Sequence, residues 1–251
     1  MSEVHPRREE QPPPAAMPML LSFVAGYVDS YTYLALFGLF VAQVTSSFVI
    51  AGGEIVRHQP GSAGKLLVIV VFVFAAAATT LIVGLLRETG RAALPWLLGL
   101  EAALLTAFVA MLLLGPPING ASDGYGIVTG LVAASAMGAQ SVLVRLLMKG
   151  IPQTNVMTGN MTQLGIATTE LVLAWRRCAH EPDSRAASAD FATVRGQLWT
   201  VLLVAAGFLL GAAAGAVAFA ATNLKGVLLA VAIVAALALW ALCRDNSNPS
   251  S

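Results

Sequence analysis

Seven polar residues and one glycine interrupt stretches of this chain that are otherwise apolar. They are Asp29, Thr45, Ser46, Ser47, Gln140, Thr158, Gly159 and Asn160. Hydroxyl and amide groups can take the place of water around a small solute. A carboxylate at membrane depth can bind and release a proton. These residue types therefore indicate the binding and passage of a small polar solute.

The composition of the chain indicates that these residues lie in an integral membrane protein. Of 251 residues, 57% are hydrophobic and 11% are charged, and the mean hydropathy is +0.78. Soluble domains carry about 25% charged residues. The formal net charge is only +1, so no overall basic field favours nucleic acid. We expect membrane lipid as a partner and no nucleic acid.

Six apolar runs are long enough to cross a bilayer as helices, which takes about 17 to 25 residues. They cover residues 17–41, 65–86, 94–114, 124–148, 198–221 and 226–243. Residues 1–16 mix charge with proline, which is typical of a disordered tail. The sequence predicts an all-α integral membrane protein with six transmembrane helices.

Two further segments, residues 45–56 and 156–175, do not fit this simple pattern. The first is about 12 residues long and would reach only about 18 Å into a roughly 30 Å core. The second is long enough but rich in Thr, Gln and Asn, so that it is either re-entrant or a polar span. In the re-entrant case, Thr158, Gly159 and Asn160 begin a short helix whose N–H groups face a cavity. Ordinary loops or surface helices remain the alternative for both segments.

The distribution of basic residues favours the topology in which neither segment crosses. With the N-terminus inside, only Arg57, Lys65 and Lys225 lie outside, and the other eleven of the fourteen Lys and Arg lie in the cytoplasm. If both segments crossed, this bias would weaken. We therefore expect a multi-pass membrane protein with both termini in the cytoplasm.

The polar segments occur at matching places in two halves of the chain. Each segment follows a span with an internal polar residue, Asp29 or Gln140, and each precedes two more spans. The halves are residues 17–114 and 124–243, with an external loop 115–123, a cytoplasmic linker 176–197 and a tail 244–251. Three spans are an odd number, so the second three-helix repeat would be inverted relative to the first. Each repeat has a polar helix break or re-entrant segment after its first span.

Inverted repeats of this kind predict a binding site near the midplane, where the halves meet. We expect the triplets 45–47 and 158–160 to line it, with Asp29 exchanging a proton and Gln140 as its uncharged counterpart. Glu101 and Arg145 are secondary candidates because they also lie within predicted spans. Hydrogen bonding between helices and snorkelling to headgroups are the structural alternatives for these residues.

Glycines recur every four residues in two predicted spans. The first stripe is Gly207, Gly211 and Gly215, and the second includes Gly126, Gly130 and Gly138. Such stripes let another helix backbone approach closely. They predict tight helix contacts, either within one subunit or in a homodimer.

No enzyme signature, cofactor site or metal site is recognisable in the sequence. It contains no glycine loop for phosphate and no paired nucleophile and histidine. Cys178 and Cys243 are far apart, and the three histidines are scattered. We therefore expect a protein that is not an enzyme and has no cofactor.

Several short motifs resemble those of the YoaK family of bacterial membrane proteins. Gly26, Tyr27 and Asp29 match a G-Y-x-D-A motif. The other matches are Met137, Gly138 and Gln140 with M-G-x-Q-N, and Thr154, Thr158 and Gly159 with T-x-x-T-G. The chain departs from the family at residues 44–47, where M-T-G-N is usual, and at Ser141. The resemblance implies a six-span protein of the bacterial inner membrane and implies no particular activity.

We expect from these observations a secondary transporter of a small polar solute, with proton coupling through Asp29 as one possibility. A membrane scaffold that binds a partner, without a conduction pathway, is the alternative, and a small-solute channel is another. The sequence identifies neither the solute nor the oligomeric state.

Overall fold

The computed structural model describes Pro14, residues 16–181 and residues 184–247. Within these residues the chain forms eight α-helices, one short 3₁₀ helix and no strand. The helices are α1 (Ala16–Ala35), α2 (Ser46–Val56), α3 (Ser62–Glu88), α4 (Ala93–Leu114), α5 (Gly124–Leu147), α6 (Met157–His180), α7 (Arg185–Thr222) and α8 (Leu228–Ser247), with the 3₁₀ helix at Asn223–Val227 between the last two. The expectation of an all-helical protein is confirmed.

Four stretches of the described chain are long and apolar enough to cross a membrane. They are Ser62–Glu88, Ala93–Leu114, Gly124–Leu147 and Arg185–Asp245. The last of them contains both α7 and α8, separated by the 3₁₀ helix. These stretches identify a membrane protein, because in water so much exposed apolar surface would drive aggregation.

Helices α1 and α5, the first helix of each half, lie at the centre of the bundle. Of the 18 consecutive residues that make up the most apolar part of α5, 67% are buried, compared with 17% of the corresponding residues in α3. Almost every residue of α1 between Leu21 and Thr32 is buried as well. A helix that is enclosed by protein can carry Asp, Ser, Thr and Tyr at membrane depth. This enclosure explains why α1 is less apolar than the four stretches.

The glycine stripe of α7 lies directly on the backbone of α1. A Cβ atom on Gly207 would lie 2.5 Å from the Met19 carbonyl oxygen, and one on Gly215 would lie 2.5 Å from that of Tyr27. Gly211 is packed in the same way against Phe23. The predicted tight contact is confirmed, and it forms within one subunit.

The glycines of α5 are also covered by this chain. A Cβ atom on Gly138 would lie 3.0 Å from the Phe72 carbonyl oxygen of α3. A Cβ atom on Gly130 would contact the side chain of Leu39, which belongs to the segment after α1. Neither predicted stripe is therefore left free for a second copy.

The main contacts join helices from different halves of the chain. Helix α1 packs most extensively against α7, whereas α5 packs against α3 and α4. Helices α4 and α8, which end the two halves, also pack against each other. The core therefore consists of two hydrophobic clusters, and each draws residues from both halves.

The largest differences from the expected boundaries occur at two places. Helix α1 ends at Ala35, so the apolar residues 36–41 belong to the irregular segment that follows it. The described part of the expected linker 176–197 is helical apart from Glu181 and Ser184, because α6 continues to His180 and α7 begins at Arg185. Residues 1–13 and 15 of the expected tail, and residues 182–183 and 248–251, lie outside the described residues.

Candidate functional site

Asp29 holds the irregular segment 36–45 against α1. Its Oδ1 atom accepts hydrogen bonds from the backbone N–H groups of Val41 and Ala42, both at 2.8 Å, and Oδ2 accepts one from Gln43 at 3.3 Å. Asp29 lies six residues before the end of α1. The segment therefore folds back by about 9 Å along the helix axis.

The chain can make this turn because Phe37 and Gly38 both adopt positive φ angles, of 54° and 84°. Glycine adopts this conformation without strain. Three consecutive N–H groups then point at one carboxylate, which makes an anion-binding turn whose anion is Asp29 itself. Hydrogen bonds from N–H groups to a charged carboxylate are stronger than neutral ones. Asp29 is 2% exposed and acts as an anchor for the segment.

Gln140 holds the second irregular segment, residues 148–156, in a similar way against α5. Its Nε2 atom donates to the Leu21 carbonyl oxygen of α1 and to the Thr154 hydroxyl oxygen, both at 2.8 Å. Gln140 lies seven residues before the end of α5. This segment therefore also folds back, by about 10 Å.

Ser22 connects the same place to α7. Its hydroxyl lies 2.7 Å from the Val204 carbonyl oxygen and 3.1 Å from that of Thr154, and it donates to one of them at a time. Four parts of the chain therefore meet here: α1, α5, α7 and the segment 148–156. We call Ser22, Gln140 and Thr154, together with Asn155, which follows Thr154 in the chain, the Gln140 cluster.

Two acceptor atoms of the Gln140 cluster have no donor. Gln140 is 1% exposed and Asn155 is 5% exposed, yet Oε1 of the first and Oδ1 of the second lack a hydrogen-bond partner among the described residues. The Gln140 amide cannot be reversed, because Nε2 faces the Leu21 carbonyl oxygen, which only accepts. Each unpaired acceptor costs about 1–3 kcal/mol, so the cluster favours a molecule that can donate to it.

The two predicted triplets occupy the starts of α2 and α6. Thr45 is exposed, while Ser47 is buried and its hydroxyl lies 3.4 Å from the Phe40 carbonyl oxygen. Ser46 begins α2. Thr158 and Gly159 are exposed in the first turn of α6. They begin a helix of 24 residues rather than a short one.

Asn160 is the member of the second triplet whose side chain is hydrogen-bonded to the segment 148–156. It is buried, and its Nδ2 atom donates to the Gln153 carbonyl oxygen at 2.7 Å. Helices α2 and α6 are not packed against each other. The structure therefore brings Asp29 to the segment before one triplet and Gln140 to the segment before the other, but it does not bring the triplets together.

Helix α1 is the element that the two anchored segments share. Ser22 of the Gln140 cluster and Asp29 are both buried in it, seven residues apart. This spacing corresponds to about 10 Å along the axis. Two separate polar sites therefore lie along one central helix.

The two secondary candidates have different environments. Glu101 of α4 is fully buried, and both of its carboxyl oxygens lack a hydrogen-bond partner among the described residues. Arg145, near the end of α5, is exposed. The Asp29 oxygens are bonded by backbone N–H groups instead of by Arg145.

A buried ion pair between α2 and α3 was not predicted from the sequence. Lys65 is 2% exposed, and its Nζ atom lies 2.7 Å from Glu54 Oε1 and 3.3 Å from the Phe37 carbonyl oxygen. A narrow cleft beside it is lined by Leu36, Leu39, Gly61, Gly64, Ile118, Gly120, Ala121, Gly126 and Ile127. The pair joins the start of segment 36–45 to the hairpin of α2 and α3. An acid and a base near a connection are too common in sequences to have identified it.

Groups of three or more His, Cys, Asp or Glu side chains that could hold a metal ion do not occur in the described part of the chain. Cys178 and Cys243 are both free.

Comparison with known proteins places the chain in a family. A family model described as protein of unknown function (DUF1275) matches residues 17–240. The chain belongs to this DUF1275 family. The match extends from α1 into α8 and thus includes Asp29, Gln140 and both irregular segments. It supports the expected membership in an uncharacterised family, although it does not carry the YoaK name. Neither a curated protein nor a solved structure matches the chain.

Proposed function

We propose that this member of the DUF1275 family is a secondary transporter that carries a small polar solute across the bacterial inner membrane. The observation that carries the proposal is the pair of unpartnered acceptors in the Gln140 cluster. They are buried at the meeting point of both halves of the chain, where transporters commonly bind their solutes.

The proposed topology has six spans and both termini in the cytoplasm. Helices α1, α3, α4, α5, α7 and α8 cross the membrane, and α2 and α6 lead back out from the two anchored segments. Helix α2 has 11 residues, so its length of about 16 Å fits a return to the surface rather than a crossing. Irregular backbone at this depth is tolerated where protein satisfies its N–H groups, and Asp29 does so for the first segment.

The proposed inverted repeat relates α1–α4 to α5–α8. In this repeat α1 corresponds to α5, and α3 corresponds to α7. The contact of α1 with α7 therefore has the contact of α5 with α3 as its counterpart, and both contacts occur. The contact of α4 with α8 is its own counterpart. Gly26 of α1 lies against the backbone at Phe208 and Ala212, and Gly138 of α5 lies against that at Phe72 and Ala76. These paired contacts are the support for the repeat.

The chemistry of the cluster favours a solute with N–H or O–H donors, because amide oxygens only accept. Such a solute would donate to Oε1 of Gln140 and Oδ1 of Asn155. The bond from Nε2 of Gln140 to Thr154 would be free to break, because Nε2 also donates to the Leu21 carbonyl oxygen. The segment 148–156 could then move and open the site to one side of the membrane at a time. Proton coupling through Asp29 would first require the release of its three N–H donors, so we assign Asp29 the positioning of segment 36–45.

Thiol accessibility tests this proposal without knowledge of the solute. Asn155→Cys is made with Cys178→Ser and Cys243→Ser and treated with a membrane-impermeant thiol reagent in proteoliposomes. A transporter that opens at the cluster should be labelled there. Ala133→Cys, at a buried position of α5, and the exposed Thr168→Cys are the unlabelled and labelled controls. Labelling at position 155 no faster than at position 133 would contradict the proposal.

A screen of small polar metabolites then identifies the solute, since specific binding to the folded protein raises its thermal stability. The Gln140→Leu variant should lose this rise and the uptake of the same compound into proteoliposomes. The exposed Thr80→Val variant in α3 should retain both. Uptake that persists in Gln140→Leu would show that the solute binds elsewhere.

A partner-binding scaffold is the second candidate function, and α6 supports it. Only Asn160, Ala167 and Ala174 of this helix are buried, and they form one narrow stripe against α7. The other faces are free for a second copy or another protein. A scaffold predicts that position 155 stays unlabelled, whereas a channel predicts labelling from both sides at once.

A further inference from the structure

Glu101 is a carboxylic acid in the packed interior that the proposed solute site does not use. It lies eight residues after Ala93, where α4 begins. Its side chain is 0% exposed, and neither Oε1 nor Oε2 has a hydrogen-bond partner among the described residues. In this respect it differs from Asp29, whose two oxygens receive three backbone hydrogen bonds.

The face of α4 that carries Glu101 is apolar on both sides of it. Leu97 and Leu105 lie one turn before and one turn after on the same face, and both are fully buried. Leu97 belongs to one hydrophobic cluster, with Leu143 of α5 and Leu237 of α8. Leu105 belongs to the other cluster, with residues of the same two helices. Glu101 therefore lies where the two clusters adjoin.

The elements packed against α4 are α5, α8, α3 and the 3₁₀ helix. Their described titratable and charged groups are Tyr125 and Arg145 of α5, Cys243, Arg244 and Asp245 of α8, Lys65, Arg87 and Glu88 of α3, and Lys225 of the 3₁₀ helix. Tyr125 donates to the Met111 carbonyl oxygen, and Lys65 is paired with Glu54. The others lie near helix ends, and none of the whole set donates to Glu101.

An ionised carboxylate in such surroundings would be strongly destabilising, because no hydrogen bond or opposite charge replaces its lost hydration. A metal cation would need several oxygen ligands. The described part of the chain places no group of acidic or histidine side chains there. A proton needs only the one carboxylate.

We infer that Glu101 is a proton-binding site, protonated in this closed conformation and deprotonated when α4 separates from α5 or α8 and water reaches it. On release, the O–H bond of the carboxylic acid breaks, its electron pair stays on the carboxylate, and the proton passes to water. Protonation from water on the other side of the membrane reverses the step. This inference rests on the proposed function for its consequence, which is that the proton coupled to solute movement is the one on Glu101.

The pH dependence of thermal stability tests the proton site directly, with the proton itself as the probe. In the unfolded protein, Glu101 is exposed and ionised above about pH 5. Unfolding therefore releases its proton, and stability falls as pH rises, with the unfolding equilibrium constant increasing roughly tenfold per pH unit. Glu101→Gln, which mimics the protonated acid, should remove this slope. Glu170→Gln, at an exposed position of α6, should retain it.

Infrared spectroscopy provides the second measurement. The wild-type protein at neutral pH should show the carbonyl band of a protonated carboxylic acid, which Glu101→Gln lacks and Glu170→Gln keeps. If Glu101→Gln fails to fold, Glu101→Met replaces it, because a packed apolar site accepts an apolar side chain of similar volume. A slope and band that are unchanged in the Glu101 variant would overturn the inference.

The two proposals fail in different ways. Labelling at Asn155→Cys with an unchanged pH slope in Glu101→Gln would leave the solute site standing and remove the proton site. Loss of the slope with no labelling at position 155 would establish a buried proton site in a protein that does not open at the cluster. With both sites present, Glu101→Gln should keep solute binding and lose solute-driven acidification of a pH-sensitive dye inside proteoliposomes.

Discussion

The segments 36–45 and 148–156 occupy matching places in the chain but are held by different chemistry. Asp29 and Gln140 each lie seventeen residues before the first residue of the helix that follows, which is Ser46 in one half and Met157 in the other. Asp29 binds three backbone N–H groups and has both oxygens satisfied. Gln140 uses only its Nε2 atom and leaves Oε1 unpartnered.

This difference separates a structural anchor from the proposed binding site. A charged carboxylate that is surrounded by N–H groups fixes the backbone and has nothing left to offer a solute. A neutral amide can hold its segment with one end and present an acceptor with the other. In the proposed transporter, the first half therefore stays closed around Asp29, and the second half is the one that exchanges hydrogen-bond partners.

The largest effect is expected for the ion pairs of the two hairpins that follow these segments. Lys65 and Glu54 form a buried pair between α2 and α3, whereas Arg177 and Asp190 form an exposed one between α6 and α7, with side chains 59% and 46% exposed. Lys65→Met should lower the free energy of unfolding by about 3 kcal/mol or more, because it leaves the carboxylate of Glu54, which is only 14% exposed, without a partner. Arg177→Met should cost less than about 1 kcal/mol.

Thermal unfolding in detergent measures both changes. The double variant Lys65→Met/Glu54→Leu is the control, and it should recover most of the loss because no charge is left buried. Equal losses for Lys65→Met and Arg177→Met would show that the two hairpins do not differ as described.

The next effect concerns the helices that carry Asp29 and Gln140. Gly211→Ala places a Cβ atom against the Phe23 backbone of α1 and should cost about 3 kcal/mol or more, because a backbone can yield little. Gly138→Ala meets α3 at 3.0 Å and should cost less. Gly84→Ala, with open space around it, should be neutral or stabilising by up to about 1 kcal/mol. The melting temperature should be lowest for Gly211→Ala, higher for Gly138→Ala and highest for Gly84→Ala. A Gly211→Ala variant with an unchanged melting temperature would contradict the close contact of α1 with α7.

The direct comparison of the anchors gives the third effect. Asp29→Asn should cost about 2–3 kcal/mol, since its amide nitrogen would face an N–H donor and the charge-assisted bonds are lost. Gln140→Leu should cost about 1 kcal/mol, because it removes an unpartnered acceptor along with two hydrogen bonds. Denaturant titration measures both values. A larger loss for Gln140→Leu would mean that Oε1 has a partner and that the second segment is anchored as firmly as the first.

The smallest effect is expected at the start of α5. The pKa of Asp123 is lowered because its carboxylate accepts N–H groups at the helix start, from Gly126 first and also from Asn119 and Tyr125. Its contribution to stability is present above its unfolded pKa of about 3.9 and is lost as the pH falls through the lower folded value. Asp123→Asn keeps an acceptor at the helix start but should remove this acid dependence of the melting temperature. The change should be small, because the group is exposed.

Local features of the fold could be predicted from the sequence because they depend on continuous apolar runs. Helix α4 begins one residue before the predicted span, and helix α5 ends one residue before the predicted end. The end of α1 could not be predicted, because residues 36–41 are as apolar as a span. They are nevertheless not helical, and the chain reverses direction there and runs back along α1. The glycine stripe at Gly207, Gly211 and Gly215 predicted a close contact, yet its partner α1 lies almost two hundred residues earlier.

Asp29 and Gln140 could be found because a polar side chain in an apolar run is unusual. The partners of Asp29 could not, because backbone N–H groups are present at every residue and leave no trace in the sequence. Ser22 and Asn155 were missed for a related reason: only tertiary packing distinguishes them from other small polar residues. The two triplets could meet only if α2 and α6 lay close together. The distance between two helices that are far apart in the chain cannot be predicted from the local sequence of either one.

The seam of α1 and α7 has a consequence for the mechanics of the molecule. Two backbones in direct contact through Gly207, Gly211 and Gly215 leave no side-chain layer that could slide or deform. Helices α1, α6 and α7 should therefore travel together, and so should α2, α3 and α5, so that each rigid body is assembled from pieces of both sequence halves. The segments 36–45 and 148–156 link the two bodies, so the hinges of any motion lie in the parts of these segments beyond the anchors at Asp29 and Gln140.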